Sequence, residues 1–106
     1  MSLRLGAALI GVLLAAGCSE KGGSSPAAER GRQVYLAQCT ACHHPSDPAQ
    51  PGALGPPIKG TARAVLEAKI LRGTYPEGYT PKRPTSLMPP MPALGGDLDA
   101  LAEYLK

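Results

Sequence analysis

The sequence predicts an all-α domain, with three main helices and long Pro/Gly-rich loops wrapped around something other than a large core. Three observations carry this. Apolar residues recur at helical spacing in three stretches, and a strand-like alternation appears nowhere. There are 13 Gly and 12 Pro in 106 residues, with no Trp, no Phe and four Tyr, which is too little bulk for an ordinary self-sufficient core. Three cysteines cannot build a multi-bridge framework. Hydrophobic residues at 43% and charged residues at 18% exclude a disordered or acidic-tail protein. The length excludes large α/β enzymes and repeat arrays. A domain this small needs a staple, and the sequence has to say which.

Residues 1–17 read as an export signal of lipoprotein type. Arg4 gives a positive start, and Leu5 to Ala16 is an uncharged apolar run, too short for a hydrocarbon core of about 20 residues. Small residues ahead of Cys18 resemble a bacterial lipobox, in which the cysteine is acylated and becomes the mature N-terminus; Ala15 stands where that motif usually has Leu. The alternative, an ordinary cut after Gly17, would leave a free N-terminal thiol in an oxidising compartment. Residues 18–28 are then the lipidated Cys and a flexible polar tether, Ser19 slightly favouring the outer membrane. Residues 29–106 are the folded domain. Without Arg4 the mature chain has ten Lys+Arg against eight Asp+Glu, too mild an excess for nucleic-acid binding.

The first helix is expected over Glu29 to Gln38, with Gly31 and Tyr35 on one face. The second runs over Thr61 to Arg72, where Leu66 and Ile70 lie four apart, Glu67 and Lys69 point outward, and Gly73 is a stop signal. The third covers Asp97 to Lys106, with Leu98, Leu101 and Leu105 on one stripe and its acids at the N-terminal end. Pro45–Gly60 and Gly73–Gly96 connect them and hold eleven of the twelve prolines. Two loops of this length need an organiser, and a large flat ligand is one.

Cys39-Thr40-Ala41-Cys42-His43 is C-x-x-C-H, the attachment signature of c-type haem. Two thiols at this spacing add to the two haem vinyl groups, and the next residue is placed to ligate iron through an imidazole nitrogen. Export fits, because c-type haem is attached outside the cytoplasmic membrane. A zinc site from Cys39, Cys42, His43 and His44 would crowd four ligands into six residues. A thioredoxin-like C-x-x-C needs a βαβ context that is missing. A Cys39–Cys42 disulfide is sterically poor and leaves His43 unexplained. His44 reads as a loop histidine.

Over nearly all of residues 29–106 the chain resembles a class I c-type cytochrome, a small monohaem electron carrier. Gly31 and Tyr35, eight and four residues before Cys39, match a Gly and an aromatic on that family's first helix. Leu101 and Tyr104 match the pair on its last helix, which crosses the first closely. The haem motif lies near the start of the domain, which disfavours the cytochrome c′ branch. Leu54-Gly55-Pro56-Pro57 resembles the Gly-Pro that follows the haem motif, implying that the Pro56 carbonyl accepts the other N–H of the proximal imidazole. The resemblance implies a methionine sixth ligand before the last helix. Met88 and Met91 are both followed by Pro; Met88, sixteen residues before Tyr104, fits the family spacing, with Met91 the alternative. Tyr75 and Tyr79 are candidate haem contacts.

The resemblance thus implies one haem c per chain and single-electron shuttling between weakly bound, transient redox partner proteins, with no catalysis, no small-molecule substrate and no nucleic acid. The lipid would hold the domain at a membrane, facing the periplasm or the outer face of the cell membrane. Lys59, Arg63, Lys69, Arg72, Lys82 and Arg83, against Glu67 and Glu77, are candidate docking cations. The alternatives are a haem-bearing docking subunit of a larger oxidase or dehydrogenase complex, and, if the Met bond is weak, a gas-binding or peroxidatic haem protein.

Overall fold

Ser25 starts the first helix earlier than the apolar pattern does. In the computed structural model, which describes Gly11 and residues 25–106, its hydroxyl accepts from the Ala28 amide at 3.0 Å. Pro26 occupies the first helical position, where its missing N–H costs nothing, and helix α1 runs Pro26–Gln38. Residues 26–28, expected in the tether, are therefore its first turn. The export signal, Cys18 and residues 19–24 lie outside the described residues.

Helix α2 spans Arg63–Arg72. It ends where expected: Gly73 turns left-handed at φ 68°, its amide bonds the Lys69 carbonyl and the Thr74 amide bonds that of Ala68. Lys69 and Arg72 sit in the last turn, where the helix dipole favours cations. A six-residue 3-10 turn, Pro92–Asp97, then leads into α3, Leu98–Leu105. That turn was not legible as a helix, since Pro-Ala-Leu-Gly-Gly-Asp has the composition of a loop. Among the described residues the structure is helical and contains no strand. It is a small all-α fold, as the helical spacing predicts.

The main packing is α1 against α3. Gly31 makes the crossing possible: a Cβ there would collide with the backbone carbonyl of Ala100 and lie 2.8 Å from Tyr104 Cβ. Tyr35, fully buried, meets Tyr104 across the crossing with ring centroids 5.6 Å apart and planes tilted by 50°. Val34, Leu98, Leu101 and Leu105 complete this side, and Leu66 and Ile70 join it from α2.

The connector 45–60 is organised by its own backbone. The amides of Leu54 and Gly55 bond the Cys42 carbonyl, and those of Ile58 and Lys59 share the Pro48 carbonyl. The Gly60 amide reaches the Leu105 carbonyl, tying the loop to the end of α3. Long loops here are thus held partly by bonds that composition does not reveal.

Candidate functional site

The last turn of α1 delivers Cys39 and continues as a turn through Cys42 and His43. The amides of Cys42 and His43 both reach the Cys39 carbonyl, at 3.3 and 3.0 Å. This compact turn sets both sulfurs and the imidazole on the wall of one cavity of about 270 Å³. Cys39 and Cys42 are not joined to each other by a disulfide. Burial pushes the Cys39 thiol up to about 11, the opposite of the depressed value a thioredoxin-type nucleophile requires.

His43 is buried, and its Nδ1 lies 2.9 Å from the Pro56 carbonyl oxygen. A carbonyl only accepts, so Nδ1 carries the proton and Nε2 keeps a lone pair. Gly55 lets the chain pass against the ring: a Cβ there would lie 2.5 Å from His43 Nδ1 and 2.9 Å from Nε2. Gly52 plays a similar part that the sequence reading missed, since a Cβ at 52 would collide with the backbone of Cys42 and His43. Its only signal was a glycine nine residues past His43. His44 is a loop residue, its Nδ1 accepting from the amides of Ser46 and Asp47 at 3.1 and 2.9 Å. With His44 so engaged, no group of three or more His, Cys, Asp or Glu gathers to hold a metal ion among the described residues.

Val65, Leu66, Ile70 and Ile58 make much of the remaining wall apolar, and Lys69, Lys82 and Arg83 also line the cavity. Met88 and Met91 both line it, half-buried and packed on the core. Met91 is fixed by its amide on the Ile70 carbonyl and its carbonyl under the Leu94 amide. Met88 sits on the loop without such ties among the described bonds. Tyr75 and Tyr79, also on the wall, stack with centroids 5.3 Å apart, and Lys69 Nζ lies 4.7 Å over the Tyr75 ring.

The structure divides the candidate docking cations. Arg63 pairs with Asp99 and Glu67. Lys82 and Arg83 bond backbone carbonyls of the 45–60 connector. Lys59 and Arg72 are exposed. Leu54 and Leu87, 53% and 65% exposed, stand at the cavity rim.

A thiol pair three apart, an imidazole oriented through Nδ1, an apolar cavity and methionines on its wall are the donor set and the setting that a covalently attached haem requires. The residues present fit that group, and they define a c-type cytochrome domain. A family model described as "Cytochrome C oxidase, cbb3-type, subunit III" matches residues 26–105, and the chain belongs to that family. It carries haem c, and haem-based electron transfer is its chemistry. No curated protein and no solved structure matches the chain. No described helix is long and apolar enough to cross a membrane.

Proposed function

We propose that this chain is a membrane-anchored monohaem electron carrier, in which Cys39 and Cys42 form the thioethers, His43 is the proximal iron ligand and Met88 the distal one. The observation that carries the reading is the His43 Nδ1–Pro56 bond beside the two cysteines, in a cavity that Met88 also lines. The haem supplies reversible one-electron chemistry when bound. Pro56 fixes the ring plane and raises the donor strength of Nε2. A thioether ligand and apolar walls favour the ferrous state and a positive potential relative to bis-His sites. With His43 and Met88 both holding the iron, no site would be left open for a substrate, and the protein would act as a carrier. Leu54 and Leu87 at the rim, together with the exposed Lys59 and Arg72, support brief docking over less than about 1,200 Å².

Lipidation of Cys18 would tether the domain in the periplasm, with the outer membrane favoured by Ser19. A Cys18→Ser protein is expected in the soluble fraction; one that stays with the membrane sinks the anchor. A second reading, a haem-bearing subunit of a larger oxidase, draws on the family's description. Co-purification with an oxidase at stoichiometric amounts would favour it over a free carrier.

Optical spectra of the exported protein, oxidised and reduced, test the core of the proposal. A low-spin reduced spectrum, with a far-red methionine-to-ferric-iron band abolished by Met88→Ala and retained in Met91→Ala, is expected. The reverse pattern assigns Met91. A high-spin ferrous form that binds carbon monoxide readily would replace the carrier reading with a gas-binding or peroxidatic one.

A further inference from the structure

Segment 73–91 stands on α2 at both ends. The Gly73 and Thr74 amides bond the carbonyls of Lys69 and Ala68 at 3.0 and 3.1 Å, and the Met91 amide bonds that of Ile70 at 2.6 Å. Between these feet, Pro76, Pro81, Pro84, Pro89 and Pro90 offer no amide donor, and the segment's internal tie is Tyr79 N–H to the Pro76 carbonyl at 3.1 Å. The tip is fastened by side chains instead. Lys82 Nζ donates to the Pro57 carbonyl at 2.7 Å, and Arg83 Nη1 to the Leu54 carbonyl at 3.0 Å.

Those acceptors belong to a strap of four consecutive carbonyls, each with a donor. Leu54 takes Arg83, Gly55 takes the Gly52 amide at 2.9 Å, Pro56 takes His43 Nδ1 at 2.9 Å, and Pro57 takes Lys82. The segment bearing both methionines is therefore joined to the residues that orient His43. Lys82 and Arg83 are cationic donors, so their two bonds to the strap are charge-assisted.

We infer that Lys82 and Arg83 are positioning residues: a clasp that closes the methionine segment over the cavity onto the 54–57 strap, so that both sides of the site hold or loosen together. The ligand-side consequence rests on the reading that a methionine of this segment binds iron. Cations committed to carbonyls are also withdrawn from partner docking.

The test uses the haem-loaded protein and a Lys82→Gln/Arg83→Gln double variant. Imidazole binding to the ferric form should be at least about tenfold faster, a floor for losing two solvent-exposed bonds to charged donors, with the far-red methionine band weakened. Amide hydrogen exchange should accelerate in residues 74–88 and in the 52–58 strap together. The charge-preserving Lys82→Arg/Arg83→Lys exchange should restore both. Imidazole rates and exchange within twofold of the parent protein overturn the clasp, as does acceleration confined to one of the two segments. Met88→Ala and Met91→Ala are read in parallel. If neither removes the band, the ligand assignment fails, while the exchange data still decide the clasp by themselves.

Discussion

The crossing of α1 and α3 and the loop wall facing the cavity are built from opposite materials. At the crossing, Tyr35, Leu98, Leu101 and Leu105 are at most 1% exposed, and each helix is the other's partner. Along the wall, Met88 and Met91 are half-buried, Leu54 and Leu87 protrude, and proline replaces regular hydrogen bonding. The crossing packs protein on protein, as in any small helical core. The wall presents its apolar groups to the cavity, so under the proposed haem attachment at Cys39 and Cys42 its order would depend on that attachment and on a few side-chain ties. A domain of about eighty residues divides its stability between a packed half and a haem-dependent half.

The largest expected effect breaks that division outright. Cys39→Ser with Cys42→Ser removes both thioether sites, and with them the burial that the wall residues need. A small domain has only about 5–15 kcal/mol of stability in total, so losing one of its two halves should abolish cooperative unfolding. Circular dichroism should show residual helix from the α1–α3 pair and a broad melt in place of a sharp one. A sharp melt near that of the parent would mean that the crossing alone suffices.

Two glycines sharpen the same contrast. Gly31→Ala gains up to about 1 kcal/mol of helix propensity, yet its methyl meets the Ala100 backbone carbonyl, which cannot move aside cheaply. Overpacking at such a site costs about 1–3 kcal/mol, so the net effect is a lower melting temperature, by several degrees, with an unchanged haem spectrum. Gly55→Ala places its methyl against the His43 ring, so the ring must turn away from the Pro56 carbonyl. Its effect should appear first in the potential and the far-red band. Melts and spectra that shift alike in both variants would erase the distinction between the halves.

How far each half could be read in advance follows the same line. Leu98, Leu101 and Leu105 announce a helix because burial repeats at helical period, and they occupy the core as expected. Cys39 to His43 announce their chemistry because the spacing is local. Of the 54–57 strap only the Pro56 bond to His43 was legible, through the resemblance; its other three bonds, the 3-10 turn at Pro92–Asp97 and the role of Gly52 were not. They rest on bonds to backbone carbonyls and on close approaches of backbone to backbone, which leave no residue-type signature. The start of α1 was misplaced by three residues because Ser25-Pro26, a capping signal, stands in a stretch whose composition reads as tether.

Tyr35 gives the smallest effect and joins the two regions. From the crossing, its hydroxyl donates to the His44 carbonyl at 2.5 Å, one residue past the imidazole that faces the cavity. Tyr35→Phe removes that bond and should cost about 1 kcal/mol at neutral pH, read from denaturant melts. Burial first, with Tyr104, Cys39 and Asp47 adding to it, holds the phenol above its ordinary value. The folded state therefore keeps a proton that the unfolded chain gives up from about pH 10. The stability that Tyr35 contributes is complete below that pH and is lost as pH rises through the raised folded value. The parent protein should lose stability above pH 10 more steeply than Tyr35→Phe, while Tyr104, also raised by burial, leaves a residual slope in both. Parallel slopes would mean that the Tyr35 phenol ionises without opposing the fold. A far-red band that moves in Tyr35→Phe would show that the crossing helps to set the position of His43, and the two halves would then be coupled at this hydrogen bond.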